Sequence, residues 1–325
     1  MRATRTIISA VVIGAGVVAS PLAADEPVGE RATFQTHDNE QVTIVGDFYA
    51  AQTEGGELPP VVILLHMYKR DRSDWKPLIP ELQRRGISAL AIDLRGHGES
   101  IEPTEANLAE RVANREKRVY ENMKHDVAAA HTWLAEQGKV DLSRFGLVGA
   151  SVGCTVAFQY AGDDLSVDAI VAMSPGTSYM KIRSEKDIDD IVGRAIWLVS
   201  PAAEIANANA LKAANPDGNI NVKEVTAEGE DPDVNIHGTN MFGKVGGIER
   251  DIAGYLERFL GDPAEEPVVY ELRRKFYVPA DAERAGKMSV EKKRYLSSPE
   301  EAEERGLKEF GQSGREQGAS GVVDA

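Results

Sequence analysis

A serine flanked by small residues, Gly149-Ala150-Ser151-Val152-Gly153, has the residue types and spacing that nucleophilic catalysis needs. It follows an apolar run at 145–148 and opens the segment CTVAFQYA, which reads as a helix. In that setting G-x-S-x-G describes a sharp strand-to-helix turn. The glycines let the chain fold back without side-chain collisions, and the serine is lifted to the sheet edge. The helix N-terminus behind it favours developing negative charge. The bland alternative is a glycine-tightened turn with an idle serine.

A serine nucleophile needs a base. Of six histidines only His237 follows Ser151, in Asn235-Ile236-His237-Gly238-Thr239, after the last strand-like run and before the final helical pattern. That order, nucleophile first and histidine last, matches the strand–turn–helix plan, with a locally bonded loop histidine as the alternative. His125 and His131 fall within a helical pattern and read as packing or solvent-facing residues. An oxyanion also needs donors. The N–H of Val152 is one by the geometry of the turn, and the N–H of Met67, after the run PVVILLH, is the candidate second. His66 is expected to brace that turn.

The elements that would hold these residues alternate. Strand-like runs are expected at 33–36, 41–49, 60–66, 87–94, 145–148, 168–173, 195–199 and 219–225. Helical patterns lie at 74–85, 119–134, 151–161, 204–214 and 247–260. Continuous apolar runs mark strands buried on both faces, and β-α-β repetition predicts an α/β fold. A mostly parallel central sheet would be flanked by helices on both faces, with chemistry at the carboxyl ends of its strands. Residues 99–118 and 174–194 interrupt the repeat and are read as pocket-capping segments or surface loops.

Composition narrows the field. The 325 residues carry a formal charge of −15, which argues against nucleic acid and anionic membrane surfaces as partners. The single cysteine, Cys154, leaves no intramolecular disulfide and no cysteine-based zinc cluster, and it reads as a packing residue. No metal-ligand set or nucleotide-phosphate loop stands out, so no cofactor is expected. Residues 1–24 start with Arg2 and Arg5, continue through the apolar run IISAVVIGAGVV and end on small residues. They read as an export signal, giving a periplasmic or secreted protein. Residues 25–261 are expected to form the catalytic unit and 262–325 a charged extension. That extension is read as partly helical, starting a helix at Ser298-Pro299-Glu300-Glu301, docked through 270–278, and disordered beyond Gly311.

The segments LLHMYKRDRSDW, AIDLRGHGES, GLVGASVGCTVAFQYA, AMSPG and HGTNMF together resemble the α/β-hydrolase superfamily, in its dienelactone-hydrolase-like branch. The likeness covers about residues 33–260. It implies hydrolysis of a carboxylic ester or related acyl bond on a small-molecule substrate, through an acyl-enzyme. Ser151 would be nucleophile, His237 general base, and Met67 and Val152 the oxyanion hole. Dienelactone hydrolases proper carry cysteine where this chain has Ser151. The family's acid is usually an aspartate shortly after the strand that here reads Ile196-Trp197-Leu198-Val199, but the chain continues Ser200-Pro201-Ala202-Ala203-Glu204. Glu204 is the nearest carboxylate; Asp231, Asp233 or no acid at all are the alternatives, and Glu204 serving only its helix is another. Two further readings stay open: a binding or scaffold protein on a decayed hydrolase fold, its extension engaging a protein partner, and an acyltransferase.

Overall fold

The apolar runs of the sequence become the middle of one sheet. A computed structural model describes residues 27–229, 234–262, 266–272 and 274–310. The export-signal reading of 1–24, the candidate acids Asp231 and Asp233, and the segment from Gly311 onward lie outside them. In chain order, the first elements are β1 (Glu30–Gln35), β2 (Thr43–Tyr49), β3 (Pro60–Leu65), α1 (Ile79–Arg84) and β4 (Ser88–Ile92). Next come α2 (Leu108–Ala113), α3 (Lys117–Asn122), α4 (Lys124–Gln137), β5 (Asp141–Ala150), α5 (Val152–Asp163) and β6 (Val167–Met173). A hairpin β7 (Ser178–Tyr179) and β8 (Ile182–Arg183) leads to α6 (Ser184–Asp189). The repeat then resumes with β9 (Ala195–Pro201), α7 (Ile205–Ala214), β10 (Ile220–Val225) and α8 (Ile248–Leu260).

The strand order is β1-β2-β4-β3-β5-β6-β9-β10. β2 runs antiparallel to β1 and β4, and all other neighbours are parallel. Side chains alternate across the sheet. Val61, Ile63 and Leu65 of β3 pack with α4 and α5, while Val62 and Leu64 pack with α1 and α8. This is why β3 reads as one unbroken apolar run: both of its faces are covered. α8 presents Ile248, Ile252, Leu256 and Leu260 to the sheet at helical spacing.

Three local readings change. The helix expected at 74–85 is a short 3-10 turn, Arg72–Trp75, followed by α1, because Pro77 and Pro80 each lack a backbone donor and Pro80 fits only the first turn of a helix. The helix expected at 119–134 is α3 and α4 in succession, and Gly138 ends it in the left-handed conformation (φ 61°). The extension is more strand than helix. β11 (Val268–Glu271), β12 (Phe276–Pro279), β13 (Lys293–Leu296) and β14 (Lys308–Glu309) form a second sheet in the order β13-β11-β12-β14, with short helices α9 (Glu283–Gly286) and α10 (Pro299–Glu304). The expected helix start holds: Ser298 accepts a hydrogen bond from the Glu301 N–H at 3.2 Å.

Charged side chains anchor this second sheet to the first. Arg294, fully buried, pairs with the fully buried Asp164 at the end of α5. Tyr270 donates to Asp164 at 2.8 Å and accepts from the Leu165 N–H at 2.8 Å. Arg305 pairs with Asp168 of β6 at 2.7 Å. His131 of α4 packs edge-on against Phe145 with ring centroids 5.2 Å apart, so it is a packing residue. Burial and the nearby Arg294 push its imidazole down to about 3, which keeps it neutral.

Candidate active site

Ser151 stands between β5 and α5 with φ 52° and ψ −115°, a backbone conformation that a non-glycine residue adopts only under constraint. Its N–H donates to the Met173 carbonyl of β6 at 2.9 Å, which pins the turn to the neighbouring strand. The two flanking glycines are required by closeness. A Cβ on Gly149 would stand 2.5 Å from the Gly153 carbonyl oxygen, and one on Gly153 would stand 2.2 Å from the Leu65 carbonyl oxygen. So α5 starts pressed against the end of β3. The backbone of Val152, its first residue, is thereby placed next to the loop carrying Met67.

That loop is held by His66. Its Nδ1 lies 2.8 Å from the Met67 carbonyl oxygen, and its Nε2 accepts the Leu94 N–H at 3.0 Å. Those partners require the proton on Nδ1, and complete burial pushes the ring's pKa down. With both nitrogens engaged, His66 is a brace. Cys154 is also buried; its thiol is shared between the Gly149 and Met173 carbonyls at 3.2 and 3.3 Å, and burial pushes it well up.

His237 and Glu204 meet. His237 Nδ1 lies 2.7 Å from Glu204 Oε1, with side-chain exposures of 31% and 27%. Glu204 ends a short turn, Ala202–Glu204, directly after β9, and makes no capping hydrogen bond to α7. Burial would raise its carboxyl, but the His237 hydrogen bond, the His237 charge and the Ser174 hydroxyl outweigh burial and hold it below the usual range. On the other side of the ring the loop lies against the turn of Ser151. A Cβ on Gly238 would be 2.9 Å from Met67 Sδ and 3.4 Å from the Ala150 Cβ. Thr239 adds a tie, donating to Asp74 at 2.7 Å.

A strand–turn–helix elbow at the fifth strand, a histidine loop after the last parallel strand and a carboxylate after the strand before it form one constellation at the carboxyl edge of a parallel sheet. A family model described as the alpha/beta hydrolase fold matches residues 60–204, which span β3 through Glu204. Over that span the chain has the α/β-hydrolase fold. Solved structures agree on this fold. The esterase Pf2001 of Pyrococcus furiosus superimposes with a TM-score of 0.52 at 18% identity, covering 72% of this chain and 91% of that one. A dienelactone hydrolase from Anabaena variabilis gives 0.51 at 15% identity, covering 72% and 97%. A 2,6-dihydroxy-pseudo-oxynicotine hydrolase gives 0.54 at 12% identity, covering 72% and 68%. No curated protein sequence matches the chain.

Two residues of the site escaped the sequence reading. Ser174, fully buried at φ 53°, accepts the Gly238 N–H at 2.9 Å. Tyr179 of β7 donates to the Ser174 carbonyl at 3.0 Å. Burial pushes the Tyr179 phenol well up, opposed by the Ser151 hydroxyl beside it. The segment AMSPG hinted at the first, since proline and glycine after a buried strand mark a turn at its carboxyl end. Nothing in the sequence pointed to the second.

Proposed function

We propose that the protein is a serine hydrolase of the dienelactone-hydrolase-like kind, cleaving a carboxylic ester or related acyl bond of a small molecule through an acyl-enzyme on Ser151. The observation that carries this reading is the 2.7 Å contact between Glu204 and His237 beside the strained Ser151 turn. In this reading His237 takes the Ser151 proton through Nε2 as the hydroxyl oxygen attacks the acyl carbon. Glu204 keeps the ring proton on Nδ1 and stabilises the imidazolium that forms. The N–H groups of Val152 and Met67 receive the oxyanion, aided by the N-terminus of α5. The imidazolium then protonates the leaving group, and water repeats the cycle to release the acid.

The serine in place of cysteine favours an acyclic carboxylic ester over the dienelactone named in the Anabaena protein's description. A relic fold would have no reason to keep a carboxylate on His237 and a strained Ser151 together. Rapid labelling of Ser151 by a fluorophosphonate, absent in Ser151→Ala, is the expected result; a wild-type protein that neither labels nor hydrolyses p-nitrophenyl esters would make it a binding protein. We further propose export, on the basic, apolar and small-residue succession of 1–24. Among the described residues no helix is long and apolar enough to cross a membrane. N-terminal sequencing of the protein from the periplasmic fraction should begin at or near Asp25, and a cytoplasmic protein starting at Met1 would refute it.

A further inference from the structure

Ser174 contacts three of the segments that frame this site. It follows β6 at φ 53°, a conformation serine tolerates poorly, and it is completely buried. Its N–H donates to the Val199 carbonyl at 2.7 Å, which fixes it to β9, the strand that leads to Glu204. Its hydroxyl oxygen accepts the N–H of Gly238, the residue next to His237, at 2.9 Å. Its carbonyl accepts the Tyr179 hydroxyl at 3.0 Å, from the hairpin that reaches over the start of α5.

One detail extends this. Having accepted a hydrogen bond from Gly238, the Ser174 hydroxyl still has its own proton to place. Glu204 uses Oε1 for His237, and its Oε2 is buried with no hydrogen-bond partner within normal distance among the described residues. Ser174 follows β6 and Glu204 follows β9, neighbouring parallel strands, so both stand at the same edge of the sheet. β6 and β9 thus bring Ser174, Glu204 and the His237 loop together, with the Ser174 hydroxyl bonded to that loop at Gly238.

We propose that Ser174 is a positioning residue for His237, its hydroxyl holding the loop that carries the imidazole against Glu204. The inference rests on the hydrolase reading above and deepens it. It also gives the strain at Ser174 a purpose. A relaxed backbone there would turn the hydroxyl away from the Gly238 N–H.

The test compares wild type with Ser174→Ala, Ser174→Gly and Ser174→Cys in hydrolysis of p-nitrophenyl butyrate. Alanine removes one oxygen and keeps the strained φ; glycine removes the oxygen and the strain; cysteine keeps a weaker acceptor at similar volume. Leaving the buried Gly238 N–H without its partner corresponds to roughly a 10- to 100-fold fall in kcat. That fall is expected in Ala and Gly alike, with KM within about three-fold, because the variants misplace the base and not the substrate. Cysteine should fall in between. The low-field proton resonance of His237 Nδ1–H should shift or broaden in the alanine variant while the rest of the spectrum remains that of a folded protein. Full activity in Ser174→Gly would assign the effect to backbone strain and overturn the proposal, as would a change confined to KM. Folded variants with wild-type kcat refute it while leaving the hydrolase reading intact, whereas a wild type inert to ester and fluorophosphonate removes both.

Discussion

Replacing Glu204 by glutamine keeps the shape of the site and removes one charge, so it isolates what the carboxylate does for His237. With charge centres about 4 Å apart, a carboxylate and an imidazolium attract by about 4 kcal/mol at an effective dielectric constant near 20. That is worth about three powers of ten in rate if it acts fully on the transition state. The pair is partly open to solvent, with side-chain exposures of 31% and 27%, and the amide retains a dipole. Both reduce the figure. An amide can also present its NH₂ to Nδ1 and select the wrong tautomer, which adds to the loss. Glu204→Gln should therefore lower kcat by about 10²- to 10³-fold, with the unfolding midpoint nearly unchanged, since Glu204 makes no capping hydrogen bond. The assay is steady-state hydrolysis of a p-nitrophenyl ester alongside urea unfolding of the same sample. If kcat is retained and the midpoint falls by an amount equivalent to about 0.3–1 kcal/mol, the carboxylate serves only the helix dipole. Collapse instead in Asp231→Asn or Asp233→Asn would move the acid to the loop before His237.

The other expectations are shorter. Ser151→Ala should lower kcat by about 10⁴-fold or more and leave the melting temperature within a few degrees, because alanine at φ 52° bears much the same strain; full turnover in that variant sinks the nucleophile assignment. Gly153→Ala should destabilise by about 1–3 kcal/mol, since its Cβ would sit 2.2 Å from one backbone oxygen and 2.9 Å from another, neither of which can rotate away; an unchanged urea midpoint contradicts the packing described. Arg294→Met should cost about 3–5 kcal/mol by leaving Asp164 charged and buried without its partner, measurable as a lower midpoint in urea. Burial opposes the Asp164 charge, but Arg294 and its other partners outweigh burial and hold its carboxyl well below the usual range. Its contribution to stability is therefore full above the ordinary carboxylate pKa of about 4 and is lost as pH falls further. Melting temperature followed from pH 7 to pH 2 should drop below about pH 4, and the drop should be smaller in Asp164→Asn.

The sheet was legible because burial on both faces leaves a direct mark, the unbroken apolar runs of β3, β4 and β6. The elbow was legible because close approach leaves a mark too: only glycine fits at 149 and 153. Glu204 was found as the first carboxylate after β9, a position argument that needed coordinates to show the ring of His237 against it. Ser174 left only the hint of a turn in AMSPG, and Tyr179 left no mark. Their roles depend on where a turn and a hairpin fall in space, and serine and tyrosine are unremarkable in any loop. The extension was read as partly helical, and its strands went unseen because strands of two to four residues carry too little alternation to register. What organises them is a set of charges, Arg294 and Arg305, whose partners lie some 130 residues away in sequence.

Those partners also locate the extension relative to the chemistry. Asp164, Leu165 and Asp168 lie at the start of β6, and Ser143, whose carbonyl accepts the Ser297 hydroxyl at 3.1 Å, lies near the start of β5. Ser151 and Ser174 lie at the other ends of the same two strands. The strands thus carry an anchor at their amino ends and the candidate site at their carboxyl ends, with β5 and β6 held in register along the way by Gly146, Leu147 and Val148 against Ala169, Ile170 and Val171. The described part of the extension is fixed at that edge, away from Ser151. What it can do is stiffen the frame, by tying α5, whose N-terminus backs the nucleophile, to a second sheet at its far end. The separation has a consequence that distinguishes frame from site. Substitutions at Arg294 and Arg305 should change unfolding while leaving kcat of the folded fraction close to wild type, and substitutions at Glu204 and Ser174 should do the reverse.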